Sequence, residues 1–299
     1  MDHDTKQLNQ PINTASNLWI PKTLQEAWQI KQQYGEEAGY ISGGTLLQLN
    51  REQGTPLPNY LISLESIDHL KGIQPSFING RESISIGSLT TLGTCLTNPL
   101  LAQEASLLIE AISVIAAPAV RNRGTIGGNL VYGIGDSIPA LLALDAEVSW
   151  YDGQRIEVGN LNDLITTDAF DFSSSILTSI HLPSQPITSK VIRFYKKVGR
   201  REAFIPSLVT ISGFGWWNAN DTIEELRLVV GGGTQKPQRL IGCEQLLIGS
   251  HLTENHLEEI AEKIVEEYHP EADPFASASY RIQVAINIVV SELERLVTS

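Results

Sequence analysis

Two glycine pairs set the terms for any fold of this chain. Gly43-Gly44 sits inside Tyr40-Ile41-Ser42-Gly43-Gly44-Thr45, and Gly127-Gly128 inside Arg123-Gly124-Thr125-Ile126-Gly127-Gly128-Asn129. Glycine permits left-handed backbone and close approach of a neighbouring segment or ligand, so consecutive amides can point into one concavity that takes phosphate. A single Gly-Gly reads more readily as a tight turn. Two in the same half of the chain, the second flanked by Thr125 and Asn129, point toward a cofactor cradle. It is not a Rossmann site, because no GxGxxG follows a strand and opens a helix. Gly231-Gly232-Gly233-Thr234-Gln235-Lys236 lacks the spaced second glycine of a phosphate loop. Pro237 then opposes the helix such a loop needs, so this segment reads as a turn leaving a strand.

At 299 residues the chain is long enough for two domains with sizeable cores. Its 34 Asp+Glu against 21 Lys+Arg give a formal charge of −13. That balance disfavours nucleic acid, which demands basic density, and an anionic membrane surface. It does not exclude a phosphate-bearing cofactor, since backbone N–H groups can hold phosphate without charged side chains. The two cysteines, Cys95 and Cys243, cannot supply an iron–sulfur cluster or an all-cysteine zinc site, and read as buried, reduced thiols. No apolar run approaches bilayer length, and the polar opening shows no signal-peptide pattern, so a cytoplasmic chain without membrane insertion is expected.

Residues 1–17 read as a disordered tail. Thr23 with Glu26 three positions on reads as a capping box for a helix ending at Gly35. Tyr40-Ile41, Leu61 to Leu64 and Ser83 to Gly87 read as short strands. Ala102 to Ala116 reads as a helix closed by Pro118, and Ser137 to Asp145 as one opened by Pro139. Glu147 to Tyr151 with Asp152-Gly153 gives a hairpin signal. A linker-like stretch runs from Leu182 to Ser189. Beyond it, Val209 to Trp217 and Glu225 to Gly231 read as antiparallel strands, and Glu254 to Tyr268 and Ser277 to Val297 as helices.

Asp136 lies between the second glycine pair and an apolar helix. Its carboxylate suits a ribose diol or a helix N-cap equally well. Lys196-Lys197-Val198-Gly199-Arg200-Arg201-Glu202 is the one dense basic patch. It suits a charge near a flavin's polar edge, which favours the reduced anion, or a solvated hairpin of little energetic weight. If the segment is a strand, Lys196 and Lys197 point to opposite faces. No GxSxG or HExxH occurs, and the six histidines are scattered.

Taken together these motifs resemble the FAD-binding subunit of the molybdenum hydroxylases, the xanthine dehydrogenase, aldehyde oxidase and carbon monoxide dehydrogenase family. The resemblance runs from Pro21 to about Leu296. It is carried by Pro21-Lys22-Thr23-Leu24-Gln25-Glu26-Ala27, Ser42-Gly43-Gly44-Thr45, Val120 to Asn129, and Pro139 to Ala146. In the second half it is carried by Tyr195-Lys196 with Arg200-Arg201-Glu202, Leu228 to Arg239, and Ala276 to Arg281. It implies an α+β chain. A vanillyl-alcohol-oxidase-type (PCMH) FAD-binding domain of two α/β subdomains would occupy 18–185. A smaller α+β C-terminal domain, antiparallel sheet plus helices, would occupy 190–297.

The resemblance places FAD on Ile41, Ser42, Gly43, Gly44, Thr45, Leu46 and Leu47 of the first loop and on Thr125, Gly127, Gly128 and Asn129 of the second. Ile115, Ala116, Tyr132, Leu177 and Lys196 would lie around it, with Asp136 on the ribose. No catalytic side chain and no metal are implied on this chain. Implied too are a large molybdopterin-binding subunit and a small [2Fe–2S] subunit, the latter feeding electrons to FAD and thence to NAD or another acceptor. Purine oxidation by the whole complex is the leading expectation. An apolar docking patch of roughly several hundred Å² should flank the flavin's dimethylbenzene edge. Two alternatives stay open: a free-standing reductase resembling UDP-N-acetylenolpyruvoylglucosamine reductase, and a scaffold subunit without FAD.

Overall fold

The computed structural model describes residues 16–167, 174–186, 190–199 and 207–297, and within them the chain is α+β. It opens with strand β1 (Asn17–Trp19), helix α1 (Leu24–Tyr34), β2 (Ala38–Ile41), α2 (Thr45–Glu52) and β3 (Tyr60–Ser63). The three strands form a parallel sheet in the order β1-β3-β2. The capping residues expected for α1 are in place. Thr23 Oγ1 accepts the Glu26 N–H at 3.1 Å, while the Glu26 carboxylate takes the N–H of Lys22, one residue earlier than a strict capping box requires. Leu24 and Ala27 turn into a small core with Ala38, Ile62 and Ile67. The tail is shorter than expected. Asn17 already pairs with Tyr60 in β1, and the Ser16 hydroxyl donates to the Pro58 carbonyl. Residues 1–15 lie outside the described residues.

A five-stranded antiparallel sheet follows, ordered β4-β5-β8-β6-β7: β4 (Ile73–Ile78), β5 (Arg81–Gly87), β6 (Glu147–Tyr151), β7 (Ile156–Asn160) and β8 (Ile176–Pro183). The strand β4 has no clear sequence signal because Pro75 stands inside it. An edge position tolerates the missing N–H, and β4 is an edge. Between β5 and β6 come α3 (Leu92–Thr97), α4 (Pro99–Glu104), α5 (Ser106–Ser113), α6 (Pro118–Arg121), α7 (Ile126–Val131) and α8 (Ile138–Ala143), and after β7 comes α9 (Leu161–Thr166). The single helix expected over 102–116 is thus two. Asn98 Oδ1 caps α4 by accepting from Leu100 and Leu101, and Ala105 departs from helical backbone (φ −136°) between α4 and α5. Pro118 opens α6 and does not close α5, a first-turn position where its missing N–H costs nothing. Ile84, Ile86, Val148 and Ile180 of the sheet bury against Leu107, Leu108, Ile112, Leu130 and Leu141 of these helices.

The last unit is a four-stranded antiparallel sheet, ordered β12-β11-β10-β9, with three helices on one face. It comprises β9 (Val191–Gly199), β10 (Ser207–Trp217), β11 (Ile223–Gly231), β12 (Gln238–Arg239), α10 (Ile241–Leu247), α11 (Glu254–Glu267) and α12 (Ala278–Val297). Ile192, Phe194, Ile211, Leu228 and Val230 face Leu247, Ile264, Ala285 and Val289 of the helices. The opposite face is buried too: Tyr195, Phe214 and Val229 join the core of the preceding unit. That two-sided burial leaves nearly every residue of β10 buried, including Thr210 and Ser212. Across the same junction Arg193 donates to Ser106 Oγ and Arg227 to the Ala143 carbonyl.

Candidate functional site

The strand β2 delivers the first glycine pair to a turn, and α2 starts from it. Gly44 adopts φ 70°, the left-handed conformation that glycine holds at least cost, and caps α2 without a side-chain hydrogen bond. Thr125 caps α7, its hydroxyl accepting the Gly128 N–H at 3.0 Å. The Ser42 and Thr125 hydroxyls meet at 3.1 Å, so the two glycine loops lie side by side. They border one cavity of about 460 Å³ between the parallel sheet, α7 and β8.

Of the expected contacts, Ile41 through Leu47, Ile115, Ala116, Thr125, Gly127, Gly128, Asn129, Tyr132 and Leu177 all line this cavity. Two expected residues do not. Lys196 shares a face of β9 with Ile192 and Phe194, the face on α12, and its ammonium lies 3.3 Å from the Glu292 carboxylate. Asp136 does not line the cavity, and the cap position of α8 falls to Ser137. Its Oδ2 accepts from Lys197 at 2.7 Å and its Oδ1 from Ser207 at 2.6 Å, so each oxygen has a donor from the second domain. Arg200, Arg201 and Glu202 of the basic patch lie outside the described residues.

The two loops are not two equivalent amide nests. Around the second, the Ile126 N–H donates to Thr90 O, Gly127 N–H to Ser88 O and Gly128 N–H to Thr125 Oγ1. This loop supplies room: a Cβ at Gly127 would press on Ser88, and one at Gly128 would come within 3.0 Å of Thr125 Oγ1 and 3.3 Å of Ser42 Oγ. The donors come from the first loop, where α2 presents the N–H groups of its first turn beside Thr45, Leu46 and Leu47. Among the described residues no charged side chain lines the cavity. An anion held here is therefore held by backbone dipoles, in walls whose apolar residues are mainly leucine, isoleucine and valine.

The sequence did not single out Tyr40 and Ser88, which also line the cavity. Each carries a buried hydroxyl without a hydrogen-bond partner among the described residues, and burial pushes the Tyr40 phenol well above its ordinary range. Adjacency to Ile41 and to Gly87, where a Cβ would strike the Leu70 carbonyl, was their only signal. Leu49, Val120, Val131 and Tyr132 line the cavity and are themselves exposed, forming an apolar rim. Among the described residues no group of His, Cys, Asp and Glu could hold a metal ion, and no helix is long and apolar enough to cross a membrane.

Comparison with known proteins bears on this architecture directly. Residues 193–296 match the family model of the CO dehydrogenase flavoprotein C-terminal domain. The chain is 28% identical over 288 residues to the 6-hydroxypseudooxynicotine dehydrogenase complex subunit alpha of Paenarthrobacter nicotinovorans, covering 92% of each chain. It is 26% identical over 281 residues to the carbon monoxide dehydrogenase medium chain of Hydrogenophaga pseudoflava, covering 90% of this chain and 92% of that one. The fold matches a solved chain of carbon monoxide dehydrogenase from H. pseudoflava with a TM-score of 0.85 at 21% identity, over 93% of this chain and 96% of the other. It matches a chain of quinoline 2-oxidoreductase from Pseudomonas putida 86 with a TM-score of 0.81 at 22% identity, over 95% and 97%. The family model described as the FAD binding domain in molybdopterin dehydrogenase spans residues 13–185, the part that carries both glycine loops and the cavity, and the chain belongs to that family.

Proposed function

We propose that this chain is the FAD-carrying electron-transfer subunit of a molybdenum hydroxylase complex. In this reading a large subunit holds the molybdopterin and oxidises the substrate, and a small subunit carries [2Fe–2S] centres that pass electrons to FAD here. NAD or another acceptor then removes them. The proteins named above belong to dehydrogenases of 6-hydroxypseudooxynicotine and carbon monoxide and to a quinoline 2-oxidoreductase. The substrate is thus set by the partner, and purine oxidation is one choice within the family.

The observation that carries the proposal is a cavity that no charged side chain lines among the described residues, bordered by the first turn of α2 and by exposed apolar residues. The residues fit FAD. The first turn of α2 suits a diphosphate, the apolar walls suit a flat ring system, and the Tyr40 and Ser88 hydroxyls have no hydrogen-bond partner among the described residues. Bound FAD would supply a carrier able to exchange electrons singly or in pairs. The chain itself would bind it, orient it and exclude water from its ring. With two cysteines, both buried, the chain needs clusters from a partner, and Leu49, Val120, Val131 and Tyr132 offer an apolar surface for one.

Two measurements test this. Acid release of cofactor from purified protein should yield FAD and no FMN, and native purification should bring down a cysteine-rich small chain. Protein that takes up FMN alone, or none, overturns the cofactor assignment. A chain that runs alone with full activity on a soluble substrate overturns the subunit assignment in favour of a free-standing reductase.

A further inference from the structure

We infer that Lys197 and Asp136 form a brace through which the C-terminal domain holds the cofactor cavity in shape, making Lys197 a positioning residue for FAD although it does not line the cavity. The inference rests on the FAD reading above and deepens it.

Strand alternation turns Lys197 onto the face of β9 that meets the FAD-binding domain, together with Arg193 and Tyr195. Its side chain is 5% exposed. Three residues of β9 and β10 converge on Asp136: Lys197 on Oδ2 at 2.7 Å, Ser207 on Oδ1 at 2.6 Å, and the Tyr195 hydroxyl on the backbone carbonyl at 2.7 Å. The turn before Asp136 is packed tight, since a Cβ at Gly135 would strike the Asn129 carbonyl.

Lys197 also donates to the Val114 carbonyl at 3.2 Å. Arg121 Nη1 donates to the next two carbonyls, Ile115 at 2.8 Å and Ala116 at 2.6 Å. Three successive carbonyls are therefore held by two cations, one from each domain. The segment requires holding. Ala116 sits at φ 42°, a region that a side chain occupies only where its surroundings fix it. Ile115 and Ala116 form part of the cavity wall. On the other side, Ser137 gives its N–H and hydroxyl to Asn129 Oδ1 at 3.1 and 2.6 Å, and Asn129 lines the cavity as well. A displacement of Asp136 thus reaches two walls of the cavity at once.

The test uses the full-length chain loaded with FAD. Lys197→Met should weaken FAD binding by about tenfold, the loss of roughly one charge-assisted hydrogen bond, and alter the visible circular dichroism of the bound flavin. This variant also leaves a largely buried carboxylate without its cation, so a double variant, Lys197→Met with Asp136→Leu, separates fold from position. The double variant should recover the thermal midpoint lost in Lys197→Met while FAD affinity and dichroism stay altered, because the Val114 carbonyl still lacks its donor. Unchanged affinity and dichroism in Lys197→Met overturns the brace. So does a double variant that restores both. A wild-type chain that takes up no FAD overturns the cofactor reading and the brace together.

Discussion

The α-carbon of Gly43 rests against the backbone carbonyl of Arg123, with no room for a methyl group between them. The first glycine of one loop is therefore fixed by the residue that opens the other, and the two loops are parts of one packed unit. Gly43→Ala should break that contact, lower stability by about 1–3 kcal/mol and abolish FAD uptake. Gly128→Ala meets only two hydroxyls, at 3.0 and 3.3 Å, which can give way by a few tenths of an ångström. It should be the milder change, whereas Gly128→Val should block binding by crowding the same hydroxyls with a branched side chain. Thermal denaturation with and without FAD, read beside the visible flavin spectrum, ranks the three. A Gly43→Ala protein that binds FAD normally would show that the loops can part without consequence.

What the sequence conveyed was local. The Thr23 cap, the left-handed Gly44 and the Asp152-Gly153 turn each depend on residues a few positions apart. The turn is explicit: Asp152 Oδ1 accepts from Gln154 N at 2.7 Å and Arg155 N at 2.8 Å, with Gly153 at φ 103°. Partners far along the chain were not legible. Nothing near Asp136 announces Lys197 or Ser207, more than sixty residues on, so its carboxylate was free to be read as a cap or a ribose contact. The choice between Lys196 and Lys197 had the same root. Alternation places them on opposite faces, but both faces of β9 are covered, and only the tertiary structure shows which cover is the FAD-binding domain.

His181 makes acid sensitivity readable. It is buried on β8, where its Nε2 meets the Ser149 hydroxyl at 2.7 Å and the Ser179 hydroxyl at 3.1 Å, while Nδ1 has no partner among the described residues. Burial holds the imidazolium form below its ordinary value of 6.5, with Glu147 opposing part of that effect. The unfolded chain therefore takes up the proton first. The contribution of this histidine to stability is complete above about pH 6.5 and is lost as the pH falls from there toward the depressed folded value. His181→Gln should be less stable at pH 7.5 and lose less on going to pH 5.5. Thermal midpoints of both proteins across that interval check it, and parallel curves would remove His181 as a source of acid sensitivity.

Both cysteines should be silent in the folded protein. Cys95 and Cys243 are fully buried, and burial pushes each thiol up to about 12. Only the thiolate reacts at appreciable rate, so an aromatic disulfide reagent at pH 8 should find no thiol in native protein and two after denaturation in guanidinium. A prompt reaction of native protein would mean that one of these helices opens readily.

Lys196 gives a direct comparison with its neighbour. The family resemblance puts a lysine of this segment beside the flavin, but here the Lys196 ammonium is partly exposed and lies against Glu292, which Arg295 also holds at 2.7 Å. Removing the exposed Lys196 cation from this cluster costs about 1 kcal/mol or less, because water screens its side of the pair and Glu292 keeps Arg295. Lys196→Met should therefore leave FAD occupancy and the flavin midpoint potential within error of wild type. Lys197→Met should shift them, since its charge is buried and tied to the carbonyl next to Ile115 in the cavity wall. Spectroelectrochemical titration of the two variants side by side decides between the faces of β9. A midpoint that moves in Lys196→Met and not in Lys197→Met would put the Lys196 side chain at the flavin and reverse the assignment made from the α12 contact.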